Sequence, residues 1–145
     1  MDYKGEAIQK LKGLEGARSA CACIREELLR IDSRLTGIRS ATADGSPVQG
    51  GGNGREDALL NLLTSREELL RRQRENELWI SQVERALGCL EDEERIILDR
   101  LYVNRQRQSV DRLCRELNLE KSTVYRRRDL ALRDFTRSLY GFESA

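Results

Sequence analysis

Three arginines in succession, Arg126, Arg127 and Arg128, follow an aromatic residue, Tyr125, in the stretch LNLEKSTVYRRRDLALRDF, residues Leu117 to Phe135. Guanidinium forks match phosphate oxygens and the O6/N7 edge of guanine, and hydroxyls bond bases or phosphates. Lys121, Ser122 and Thr123 stand just ahead of them. A helix through this stretch that turns Val124, Ala131, Leu132 and Phe135 inward sends Lys121, Ser122, Thr123, Tyr125 and Arg126 outward. Such a surface suits double-stranded DNA, with these residues and Arg127 and Arg128 as the DNA-binding set. Arg105, Arg107, Arg112, Arg115 and Arg133 add positive potential at the same end of the chain.

Bulk charge does not argue for nucleic acid. The 145 residues carry 26 Lys and Arg against 25 Asp and Glu, a net charge of +1, so the distribution of charge must carry that argument. The acids Glu91, Asp92, Glu93 and Glu94 precede the basic segment, which polarises the chain locally. Catalysis is not expected. Histidine, the commonest general base, is absent, and no nucleophile–base pair stands out. No cofactor is implied. The four cysteines, Cys21, Cys23, Cys89 and Cys114, are irregularly spaced and read as free thiols rather than a metal site. No apolar run is long enough for a membrane span, and the start MDYKGEAIQK lacks the apolar core of a signal peptide, so the expected location is cytoplasmic.

The composition, 39% hydrophobic, 35% charged and 5% aromatic, suits an all-α protein with long helices that bury a seam. From Glu6 to Arg39, Leu14, Ala17, Cys21, Ile24, Leu28, Ile31, Leu35 and Ile38 alternate in steps of three and four, the rhythm of a coiled-coil seam. A second seam runs from Glu56 to Leu90 through Leu59, Leu62, Arg66, Leu69, Gln73, Asn76, Ile80, Val83, Leu87 and Leu90, with a polar middle. Between them lies TADGSPVQGGGNG, residues 42–54, which holds the only proline and five glycines and reads as a connector. GGGNG is not a phosphate loop, because no strand precedes it and no Lys-Ser or Lys-Thr follows. The two long helices pair either within the chain, as an antiparallel hairpin, or with a second copy. The expected division is a helical coiled-coil hairpin over residues 1–90, with its connector at 42–54, and a helix-turn-helix DNA-binding domain over residues 91–145. Trp79 and Tyr102 are expected to pack between them.

In the second part, EDEERIILDRLYV starts with acids that suit a helix N-terminus, and NRQRQ breaks the pattern. Ser109 is expected to cap the helix VDRLCRELN, which shows Val110, Leu113, Cys114 and Leu117 on one face. Asn118 tolerates the left-handed conformation of a tight helix–helix turn. Cys114 as the small crossing residue, Asn118 as the turn and Val124 as the apolar lock complete a helix-turn-helix pattern.

From about Leu90 to Leu139, a third of the chain, ERIILDRLYV…SVDRLCRELNLEKSTVYRRRDLALRDF resembles region 4 of the sigma-70 family, which reads the −35 promoter element. The longer layout resembles phage late transcriptional regulators of the ArpU and RinA kind. The resemblance implies a sequence-specific DNA-binding transcription regulator of phage or prophage origin, reading DNA with the helix at 121–139. One short helix-turn-helix buries little surface and a second half-site raises effective concentration, so the coiled coil is expected to hold a homodimer, or to contact host RNA polymerase. Two departures stand out. Glu120 replaces the usual Ser cap, and Arg127 stands where an apolar residue is usual, so it either snorkels along the core edge or marks a slightly rotated helix. The alternatives are a small terminase-like DNA-packaging subunit, which forms a ring, and a protein-interaction adaptor whose arginines meet an acidic surface.

Overall fold

A computed structural model describes residues 2–43 and 52–141. It is all-α: α1 spans Tyr3–Ala43, α2 Gly52–Gly88, α3 Asp92–Leu98, α4 Ser109–Leu117 and α5 Lys121–Tyr140, and no strand occurs among the described residues. The all-α expectation is met, and the connector is shorter than its glycines suggested. Thr42 and Ala43 still belong to α1, and Gly52, Asn53 and Gly54 already belong to α2. The rest of that segment, residues 44–51, lies outside the described residues.

The chain divides into two compact units, Met1–Arg18 with Leu78–Ala145, and Ser19–Glu77. The boundary drawn at residue 90 from composition falls inside the first unit. The reason is packing. Ala7, Leu11 and Leu14 of α1 and Val83, Ala86 and Leu90 share one buried cluster with Leu98, Val103, Ala131, Leu132 and Phe135. Trp79 and Tyr102, half-buried, pack against it. Within this unit the Arg18 Nη2 to Glu84 Oε1 ion pair, 2.9 Å, joins α1 to α2. Tyr140 at the end of α5 donates to Glu6 Oε2 at 3.1 Å. Burial first, then the bond to the Glu6 carboxylate, push the Tyr140 phenol up to about 12.

Among the described residues, the second unit consists of the remaining parts of α1 and α2. Arg66 Nε meets Asp32 Oδ1 at 2.9 Å, and Arg55 Nη2 donates to the Ile38 carbonyl at 3.1 Å. Numbering rises on α1 as it falls on α2, so here the two helices run antiparallel within one chain. Cys21, Ile31 and Leu35 are buried, whereas Leu59, Leu62, Arg66, Leu69, Gln73 and Asn76 of the α2 seam are half-buried.

α3 begins with Asp92, Glu93 and Glu94 in its first turn, where the positive end of the helix dipole favours acids. Arg95 reaches back to the carbonyls of Leu87 and Leu90, at 3.2 and 3.0 Å, and satisfies the frayed end of α2. The helix then widens into a π-turn, Asp99–Val103, closed by the i→i+5 bond from Asn104 N–H to Asp99 O at 2.7 Å. In an ordinary α-helix, residues five apart diverge by about 140°. The wider turn brings Val103 back to the side of Leu98, and both enter the first cluster. Ile97 and Leu101 enter a second cluster with Leu113 and Val124. The π-turn is therefore where one short helix serves two cores.

Candidate nucleic-acid interface

α4 and α5 meet through Asn118, Leu119 and Glu120. Asn118 is left-handed at φ 55°, ψ 49°, as its side chain permits, and Leu119 N–H donates to Cys114 O at 3.0 Å. Glu120 is extended, and its side chain makes no capping bond. The first turn of α5 is instead started by the backbone bond from Val124 N–H to Glu120 O, 3.0 Å. Val124 is fully buried against Ile97, Leu101 and Leu113, with Cys114, Leu117 and Leu119 packed around them. Ala131, Leu132 and Phe135 are buried farther along α5.

That anchoring sets the outer surface. Lys121, Ser122 and Arg126 are exposed, Tyr125 lies at the edge of exposure, and Thr123 is half-buried. Arg126 has no ion pair among the described residues. The three arginines of the run part company. The Arg128 guanidinium lies over the Tyr125 ring, 5.0 Å from its centroid, and holds Asp129 Oδ1 through Nε at 3.1 Å and Nη2 at 2.9 Å. Arg127 turns toward α3, where Nη1 pairs with Glu93 Oε1. Since Val124 is fully buried, α5 is not rotated away from its expected face. Arg127 is an edge residue that carries its charge out of the core rim.

Beside this surface lies a cleft of about 700 Å³. Arg105, Arg107, Lys121, Tyr125 and Arg128 line it, and Asp111 is the one acid among its lining residues. Arg105, Arg107 and Lys121 form no ion pair among the described residues, so their charge is not cancelled locally. Tyr102 also lines the cleft. Burial pushes the Tyr102 phenol up, opposed by the charges of Arg128 and Arg105. The loop that carries Arg105 and Arg107 is pinned by Ser109, whose hydroxyl accepts from Gln106 N–H at 2.9 Å and donates to Gln106 O at 2.6 Å. Ser109 was expected to cap α4 and does not. Its buried hydroxyl is consumed by the loop, and Gln108, left-handed at φ 57°, stands at the cap position without a side-chain bond.

Sequence reasoning counted Arg105 and Arg107 only as added potential. Their place next to Lys121 and Tyr125 depends on the turn at Gln108, a residue type that carries no turn signal. The Arg127–Glu93 pair, 34 residues apart, likewise has no local signature.

On α3, Glu94 Oε2 is buried without a hydrogen-bond partner. Burial, then the Asp134 carboxylate, push the Glu94 carboxyl up; Glu91 adds to this and Arg133 opposes it. Among the described residues no group of His, Cys, Asp and Glu is placed to hold a metal ion, and no helix is long and apolar enough to cross a membrane.

The fold and surface define an all-α protein with an outward cationic helix start beside a basic loop. The chain matches the family model described as protein of unknown function (DUF1492) over residues 38–136, and it belongs to that family. The matched span takes in α2, α3, α4, most of α5 and the whole of this surface. No curated protein and no solved structure matches the chain.

Proposed function

We propose that the chain is a sequence-specific DNA-binding transcription regulator, phage or prophage encoded, that lays the first half of α5 in a major groove. One observation supports this above the rest. The side of α5 turned outward by burial of Val124 carries Lys121, Ser122, Tyr125 and Arg126, and Arg105 and Arg107 flank it without an ion pair among the described residues. A duplex offers phosphates on either side of a groove about 12 Å wide, and cations flanking a helix start meet them while the helix reads base edges. In this reading Arg126 takes a guanine edge, and Lys121, Arg105 and Arg107 take phosphates. Arg128 and Tyr125, stacked on each other, form a stiff shelf rather than a free probe. Arg127 holds α5 to α3 through Glu93.

Selection of bound sequences from random duplex DNA tests the proposal, with the Lys121→Ala/Arg126→Ala variant as control. One enriched motif that the control loses is the expected result. No enrichment, with weak salt-sensitive binding alone, overturns the reading and points to an adaptor for an acidic protein surface.

A further inference from the structure

We infer that the second unit, Ser19–Glu77, is a dimerisation element whose open leucine side receives a second copy of this chain. Three leucines in it are exposed, Leu29 at 68% and Leu60 at 60% strongly so and Leu63 at 38% at the edge of exposure. They do not belong to the seam between the two helices, which uses Cys21, Ile31 and Leu35. They do share a side. Leu63 lines one cleft with Asp32, Thr36 and Arg39 of α1. Leu29 sits one turn before Asp32; Leu60 sits one turn before Leu63, and half-buried Leu70 two turns after it. Four leucines therefore follow one edge of the hairpin.

The charges on that side select the occupant. By the same helical spacing it carries Arg25, Arg39, Arg66 and Arg74 against Asp32, Glu56 and Glu67, and of these Arg66 and Asp32 already pair with each other. A face close to neutral and mixed in sign suits a copy of itself, in which Glu56 and Glu67 can each meet a base of the partner. It does not suit a polyanion or a strongly acidic protein. The size also fits. About 25 residues of helix at 1.5 Å each, two helices wide, present roughly 700 Å² per copy, close to the ~800 Å² per partner of a stable complex. A two-helix unit in which Cys21, Ile31 and Leu35 are the buried apolar side chains among the described residues gains most from such a cover. The inference does not depend on DNA binding.

The test is the solution mass of the full chain without DNA, by light scattering at about 50 µM, where a micromolar dimer is mostly associated. The expected mass is twice the 16.7 kDa of one chain. Leu29→Glu/Leu60→Glu should then weaken association at least ~100-fold, since each buried leucine lost weakens it about tenfold or more. Both sites are exposed within the chain, so helical circular dichroism should be unchanged. Leu78→Glu alters an equally exposed leucine of the other unit, at 61%, and should remain dimeric. A monomeric wild type overturns the inference and leaves the face to a different protein. A ring of many copies overturns it too, as does a dimer that the double variant leaves intact or that Leu78→Glu disrupts equally.

Discussion

Replacing Arg126 and Arg127 by alanine, one at a time, separates reading from scaffolding, because neighbours in sequence have opposite surroundings. Arg126 is exposed and has no ion pair among the described residues, so its loss should leave stability nearly unchanged. If it bonds a guanine edge, its removal costs about 1–3 kcal/mol on the selected site, or roughly 5- to 150-fold in affinity. On scrambled duplex only a phosphate-like share should be lost. Arg127 pairs with Glu93, the two side chains being 42% and 36% exposed. A pair so solvated contributes about 0–1 kcal/mol. Arg127→Ala should therefore lower Tm by a few degrees at most and leave specificity intact. Fluorescence anisotropy on matched and scrambled duplexes at several salt concentrations, with thermal melts of each variant, reads all four quantities. Equal losses on both duplexes for Arg126→Ala, with a salt slope reduced by about 0.9, would reassign it to phosphate. Loss of specificity in Arg127→Ala at unchanged Tm would refute the scaffold role.

Asn118→Ala places a β-carbon residue with no helping side chain at φ 55° and should cost about 1 kcal/mol in urea melts, whereas Asn118→Gly should cost nothing or stabilise. Ser109→Ala removes both bonds to Gln106; it should weaken binding to all duplexes alike, by loosening Arg105 and Arg107, without changing the selected motif. Glu94 has a folded pKa above its unfolded value, so its stabilising contribution is fully present below the ordinary glutamate range near pH 4.3 and is lost as pH rises through the folded pKa. Glu94→Gln, which cannot ionise, should therefore be more stable than wild type at pH 7, with the advantage gone by about pH 4 in paired melts. No difference at pH 7 would show that its carboxylate is already solvated.

The long helices were legible because the three-four rhythm of Leu14 through Ile38 and of Leu59 through Leu90 is a property of every turn. Their ends were not, because glycine only weakens a helix by about 1 kcal/mol, and Gly52 and Gly54 stay within α2. The inward set Val124, Ala131, Leu132 and Phe135 was legible for the same periodic reason, and all four are buried. The π-turn was not, since a reading at 3.6 residues per turn has no place for Leu98 and Val103 on one side. Nor was the unit boundary. Composition changes at the acidic run near residue 91, but packing follows Ala7, Leu11, Leu14 and Val83, which join α5 from the far ends of the hairpin helices.

A net charge of +1 hides this surface because charge is spent locally elsewhere. Along α2, Arg71 meets Glu75 and Arg72 meets Glu68, one turn apart, and each pair is neutral at a distance. The stretches NRQRQ, residues 104–108, and KSTVYRRR, residues 121–128, contain no acid. Neither is unusual alone. The turn at Gln108, the hydroxyl of Ser109 and the left-handed Asn118 set them on the same cleft. α5 is meanwhile fixed at two points, Val124 in one cluster and Phe135 in the other. A helix held in two cores keeps its outward side chains in register. That register is the condition a base-reading arginine needs and a merely solvated charge does not.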